Sequence, residues 1–230
     1  MNAAGGVIAA KRNGVWNMKY KGVIFDLDGV ICSTDEYHYL AWKALADRLN
    51  IPFDRERNGL LRGVSRMDSL NIILEKADRA YTDDEKNAFA AEKNDTYRQL
   101  LAQMSEKDLS DDVRGTLNAL RKMGLKLAIG SSSKNTPFIL ERIGLKGFFD
   151  TVADGNCITH SKPHPEVFLK AAEFLGMDPA DCLVVEDAVS GAEAGHAGGM
   201  KVACLGDAAR HGAGDWNMNS FSELLTVVED

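Results

Sequence analysis

The chain has 230 residues, with 27 basic and 34 acidic side chains, a formal net charge of −7 and 45% hydrophobic residues. That composition is ordinary for a globular protein and excludes disorder, collagen-like repeats and supercharged tails, and the length is ample for a core without staples. The acidic balance argues against nucleic acid as a partner, because neutralising phosphates needs a basic face.

Residues 1–17 read as an N-terminal extension, either disordered or ahead of a misassigned start at Met18. Lys11 and Arg12 follow a short apolar patch instead of preceding it, the wrong order for a signal peptide. The first strong signal is KGVIFDLDGV (21–30). Its apolar run of Val23, Ile24, Phe25 and Leu27 reads as a buried strand that ends in two aspartates and Gly29. Carboxylates are thereby placed at the carboxyl edge of a sheet, where ligands bind in open α/β folds.

A helix is predicted over 36–49, with Tyr37, Leu40, Ala41, Ala44, Leu45 and Leu49 in one stripe and Asp35 as cap. Helical patterning continues through 67–76 and 84–101, and no buried strand interrupts it. Beyond residue 110 apolar strand candidates (125–131, 149–154, 182–188, 201–206) alternate with helices near 115–123, 136–143, 165–175 and 189–197. Pro137 and Gly144 punctuate one of these helices at its two ends. Such alternation implies parallel strands with right-handed crossovers. The expected fold is α/β: a doubly wound parallel sheet formed by 18–33 and 110–230, with a helical cap, 34–109, inserted after the first strand. Cys32, Cys157, Cys182 and Cys204 lack any paired spacing and read as buried free thiols of a reducing cytoplasm. No apolar run is long enough to span a bilayer, so no membrane association is expected.

Asp26 and Asp28, two apart at a strand end, should share a cleft with Glu186 and Asp187, which end the strand CLVVED. Four carboxylates at one edge repel unless a cation sits among them, and oxygen-only ligands favour a hard ion such as Mg²⁺. Taken alone, each pair could be strand-end turn chemistry. GSSSKN (130–135) follows another strand and opens a helix, an arrangement that suits a phosphate or simple capping by Ser133 or Asn135. Lys162 lies in a proline-rich turn, HSKPHPEVF, where a cation would serve a phosphate or an acyl phosphate.

In this order and placement, Asp26-Leu27-Asp28-Gly29-Val30, Ser131, Lys162 and Glu186-Asp187 resemble the four motifs of the haloacid dehalogenase superfamily of phosphotransferases. The resemblance implies that Asp26 is a nucleophile that becomes phosphorylated and that Asp28 is the general acid/base. It also implies that Mg²⁺ is held by Asp26, the Asp28 carbonyl, Glu186 and Asp187, and that Ser131 and Lys162 hold phosphoryl oxygens.

The cap segments EYHYLAWKALA (36–46), LRGVSRMDSL (61–70) and EKNDTY (92–97), with SSSKNTPF (131–138) in the core, resemble the β-phosphoglucomutase family of that superfamily. This closer resemblance implies substrate contacts by His38, Trp42, Gly63, Val64, Ser65, Arg66, Ser69, Lys93 and Asn94 from the cap. Ser133, Lys134 and Asn135 would contact phosphate or sugar hydroxyls from the core. Arg66 would grip the phosphate that is not being transferred, and His38, paired with Lys93, would couple cap closure to the acid/base.

Two departures fall at the hinges. Cys32-Ser33-Thr34 replaces the common Thr-Asp-Thr, and Asp111-Asp112 replaces a Pro-Gly. The implied function is a mutase interconverting β-D-glucose 1-phosphate and glucose 6-phosphate through a sugar bisphosphate. A sugar-phosphate phosphatase is the alternative. A non-catalytic sensor would be expected to lose Asp26 or Asp28. A site between core and cap of one chain needs only a monomer.

Overall fold

The computed structural model describes residues 18–61 and 64–229. The expected extension over 1–17 therefore lies outside the described residues. The chain starts with β1 (Gly22–Phe25), then runs through four helices: α1 (Asp35–Arg48), α2 (Arg55–Gly59), α3 (Arg66–Leu74) and α4 (Asp83–Leu101). It returns through α5 (Asp111–Lys122), β2 (Lys126–Gly130), α6 (Thr136–Arg142) and β3 (Thr151–Ala153). Next come α7 (Glu166–Leu175), β4 (Cys182–Glu186), α8 (Val189–Ala197) and β5 (Lys201–Cys204). The chain closes with α9 (Gly206–Arg210), β6 (Trp216–Asn217) and α10 (Leu224–Val227).

All six strands are parallel, in the order β3-β2-β1-β4-β5-β6. The alternation of the strand sequences explains the layering. Val23, Phe25, Leu127, Ile129, Leu183 and Val185 point to one face, which Val113, Leu117 and Leu120 of α5 cover. Ile24, Ala128, Val184 and Val202 point to the other, covered by Val167 and Phe168 of α7 and Ala192 of α8. A strand apolar at every position must be covered on both faces, and helices supply that cover in a parallel sheet.

The helical cap follows β1, and most of it packs on a core of its own: Trp42, Leu45, Phe53, Leu70, Ile73 and Ala90 are buried together. Ala41, Tyr97 and Leu101 instead join the main core, tying α1 and α4 to the sheet.

Several local expectations change. Thr34, not Asp35, stands at the N-cap of α1, and Asp35 is its first helical residue. There its negative charge still favours the helix terminus. Helix α5 begins at Asp111, earlier than the pattern suggests, because the Ser110 side chain accepts from the Val113 N–H at 3.2 Å. Asp111 and Asp112 therefore serve as first-turn acids. Cys157 is only partly buried, while Cys32, Cys182 and Cys204 are buried as expected; all four are free. Among the described residues no helix is long and apolar enough to cross a membrane.

Phe25 is fully buried and packs its ring 5.8 Å from Phe221 and 6.1 Å from Phe149. Phe25→Ala leaves a cavity under the strand that carries the site. We expect a loss of about 3–5 kcal/mol in chemical denaturation. A loss under about 1 kcal/mol would show that this layer repacks freely.

Candidate active site

Register builds the site. Phe25 pairs with Val185 on β4 and with Ile129 on β2. Asp26 follows directly, its N–H donating to the Val185 carbonyl at 2.9 Å. It thus emerges beside Glu186 and the end of β2, at the switch point of the strand order, where an open sheet leaves a crevice. Gly29 holds a φ of +87°, and a Cβ there would overlap the Asp187 carboxylate. Gly191, in the first turn of α8, packs in the same way against Glu186.

Lys162 reaches into this edge from the loop before α7. Its Nζ donates to Asp26 Oδ1 at 2.5 Å and to Glu186 Oε1 at 2.6 Å. Glu186 Oε2 accepts from the N–H groups of Asp187 and Ala188, at 2.7 and 2.8 Å. All three side chains are buried. Burial raises Asp26, with Glu186 and Asp28 adding to the shift and Lys162 opposing it. Burial disfavours the Lys162 charge, but Asp26 and Glu186 outweigh it, so the ammonium persists. Asp187 is pushed up to about 8 by burial, then by Glu186, Asp26 and Asp28. One ammonium does not balance this cluster. An oxygen-only donor set with excess negative charge fits a hard divalent cation.

The opposite wall is cationic. Lys93 Nζ lies 3.0 Å from His38 Nδ1 and sits over the rings of Trp42 and Tyr97, at 4.6 and 4.4 Å. Burial, then the Arg66 charge, lowers Lys93 to about 7, while Asp28 opposes the shift. Enclosure, then Lys93 and Arg66, holds His38 well below its usual range, so the ring is neutral near pH 7. With Nδ1 accepting from the Lys93 ammonium, the His38 proton sits on Nε2, 3.8 Å from Asp28 Oδ2. Burial also lowers Arg66, at the start of α3. Asp28 is held by Thr34, whose N–H donates to Oδ1 at 2.7 Å and whose hydroxyl donates to Oδ2 at 2.5 Å. Tyr97 in turn donates to the Thr34 hydroxyl at 2.9 Å.

Both walls line one cavity of about 630 Å³. The model of the family described as haloacid dehalogenase-like hydrolase matches residues 20–199. The chain belongs to that family. It is 42% identical over 182 residues to a β-phosphoglucomutase of Bacillus subtilis, covering 78% of this chain and 80% of that one. It is 32% identical to the fructose-1-phosphate phosphatase YqaB of Escherichia coli, over 79% of this chain and 94% of that one. A crystal structure of β-phosphoglucomutase from Clostridium difficile superposes with a TM-score of 0.84 at 34% identity, covering 89% and 93% of the two chains. The protein is an enzyme of the haloacid dehalogenase superfamily, of its phosphomutase and phosphatase group.

The cavity gathers nearly every residue singled out in the sequence. Asp26, Asp28, Ser131, Ser133, Lys134, Asn135, Lys162, Glu186 and Asp187 line it from the core. His38, Trp42, Val64, Ser65, Arg66, Ser69 and Lys93 line it from the cap. Asn94 does not line the cavity; its Oδ1 accepts from Asn135 Nδ2 at 3.0 Å, joining α4 to the loop after β2. Gly63 lies outside the described residues. Asn135 stands at the N-cap of α6 without a side-chain capping bond, which leaves its amide for the cap.

The roles of three positions are not legible in the sequence. Thr34 and Tyr97 restrain Asp28, and Arg98 donates to Asn135 Oδ1 at 3.0 Å. Tyr97 and Arg98 each follow a recognised residue, Lys93 and Asn94, by four positions, which places them on the same helix face.

Two outcomes follow. Gly191→Ala forces the Glu186 carboxylate aside, and we expect turnover to fall by roughly a hundredfold with the fold retained, as for a misplacement near 1 Å; unchanged turnover would mean that Glu186 has room to move. Lys93, lowered from 10.5 to about 7, is a burden on stability at low pH that lifts as pH rises through that window. The stability of the wild type relative to Lys93→Met should therefore rise between those limits, and a flat difference in denaturant midpoints would contradict it.

Proposed function

We propose that the enzyme is a β-phosphoglucomutase. The observation that carries this reading is the pair of unlike walls in one cavity: a carboxylate nucleophile with its ammonium on the core side, and Arg66 and Lys93 on the cap side. Burial weakens both charges, and Arg66 further depresses Lys93. Such a wall calls for an anion of its own, separate from the phosphoryl group at Asp26. A sugar carrying phosphates at both ends satisfies the two walls together.

In this reading Asp26 carries the phosphoryl group as an aspartyl phosphate. The C6 hydroxyl of β-D-glucose 1-phosphate attacks it, and Asp28 takes the hydroxyl proton. The β-glucose 1,6-bisphosphate then turns end for end. Asp26 attacks the phosphorus at C1 while Asp28 returns the proton to the leaving C1 oxygen, giving glucose 6-phosphate. Lys162, with the Ser131 hydroxyl, holds the equatorial oxygens. Arg66 binds the other phosphate in each half-reaction. Val64, Ser65 and Ser69 form the rim around it, and Trp42 stiffens the Lys93 side. The sheet and its helices form the fixed core (18–33 and 110–230), over which the cap (34–109) closes.

Asp26, the Asp28 carbonyl, Glu186 and Asp187 would hold Mg²⁺, which supplies charge neutralisation at the transferring phosphoryl group. Asp28 must leave Thr34 to serve the substrate, and the His38 Nε2–H, 3.8 Å from Oδ2, is a partner within reach. The 32% identity to a sugar-phosphate phosphatase favours hydrolysis as the second reading.

Purified protein with Mg²⁺, β-glucose 1-phosphate and a trace of β-glucose 1,6-bisphosphate separates the two. We expect glucose 6-phosphate, read by a coupled dehydrogenase, to form much faster than inorganic phosphate and to depend on the bisphosphate. Asp26→Asn should abolish it, by on the order of a thousandfold or more. Phosphate release without glucose 6-phosphate would assign the phosphatase instead.

A further inference from the structure

The loop that delivers Lys162 carries a second cluster of donors on its outer side. His160, His164 and Glu166 each bring one ligand atom to within 4.8 Å of the others. None of the three lines the cavity. The two imidazole rings lie 4.6 Å apart, tilted by 32°. His160 Nδ1 stands 3.1 Å from Glu166 Oε2. Two donors bound to one tetrahedral zinc at about 2.0–2.1 Å each stand roughly 3.4 Å apart. The observed spacing is therefore close to that of two ligands on one ion.

The surroundings hold these donors in place. The backbone N–H groups of Thr159 and His160 donate to the Glu166 carboxylate at 3.0 and 2.8 Å. They keep it ionised, with a pKa lowered to about 2. The Glu166 N–H points at His164 Nδ1, 3.3 Å away, which orients that ring. A carboxylate ligand oriented by such hydrogen bonds binds a metal more tightly than a free one does. Helix α7 fixes Glu166, and the proline-rich turn fixes both histidines relative to it.

We propose that His160, His164 and Glu166 form a binding site for a divalent transition ion such as Zn²⁺, separate from the acidic cluster at Asp26. Two imidazole nitrogens and one carboxylate oxygen favour zinc and its neighbours over Mg²⁺, which prefers oxygen alone. The bound ion replaces the contact between His160 Nδ1 and Glu166 Oε2, and solvent completes its coordination. The ligands flank Lys162 on both sides in sequence, so the ion ties together the two ends of the turn that presents this lysine to Asp26 and Glu186. The inference rests on the outer face of the loop alone and does not depend on which sugar phosphate the cavity accepts.

The test is titration of the full chain with ZnCl₂ by calorimetry, slightly above neutral pH and in excess Mg²⁺. Co²⁺ absorption reports the coordination. We expect one equivalent of zinc that Mg²⁺ does not displace, and a visible Co²⁺ spectrum of a site with nitrogen ligands. His160→Ala and His164→Ala should each weaken binding by roughly tenfold or more and should abolish the zinc-dependent rise in Tm. The metal-free Tm of each variant shows that it is folded; where an alanine variant fails to fold, the glutamine variant at that position carries the same test. No Mg²⁺-resistant uptake, or uptake unchanged in both variants, would overturn the site.

Discussion

Lys162 holds the site together. Asp26 and Glu186 come side by side because β1 and β4 are neighbours in register, each apolar up to its last residue and acidic at its end. Two buried carboxylates so close could not both ionise without a cation. The Lys162 ammonium bonds to both, and their combined field keeps it charged in spite of burial. Because that balance is incomplete, the cluster demands a further cation, while the buried central strands beneath keep its geometry fixed. Pre-set charge in a rigid, low-dielectric cleft is what phosphoryl transfer requires, since the reaction depends mostly on positioning and electrostatics.

The cap adds a second charge problem of opposite sign. Lys93 is buried against aromatic rings and His38, with Arg66 nearby. An anion relieves this strain, and an anion attached to the reacting sugar draws the cap down onto it. Binding energy from the distal phosphate can thus be spent on closing the site and excluding water. The network from α4 to the core, in which Asn94 and Arg98 both bond Asn135, shows that the two layers already meet across the loop after β2. Asp28 lies at the junction, held by Thr34 and facing His38, so its position is tied to the same layers.

Much of this was legible in the sequence, for physical reasons. The strands around Val23–Phe25 and Leu183–Val185 are apolar at every position, which only a doubly covered parallel strand tolerates. Their acidic ends announce the site, and the four separated motifs lie at adjacent strand ends because the crossover rule leaves few other arrangements. Less was legible where a feature is short or tertiary. Helices α2, α9 and α10 and strand β6 are too brief to display a period. The roles of Thr34 and Tyr97 exist only because α4 packs against α1, 63 residues apart in the chain. The cap of α1 was placed one residue late because Asp35 and Thr34 are both competent capping residues, and only backbone geometry separates them.

The central claim is that the distal phosphate, gripped from the cap, decides between sugar and water as acceptor of the phosphoryl group. Its most direct measurement is the partition ratio, glucose 6-phosphate formed per inorganic phosphate released, compared between the wild type and Arg66→Ala under saturating substrate and Mg²⁺. The ratio should fall sharply in the variant, with phosphate release largely retained, because the core still phosphorylates Asp26 while the cap no longer selects the sugar. An equal loss of both products, leaving the ratio unchanged, would contradict the claim and place the selection elsewhere.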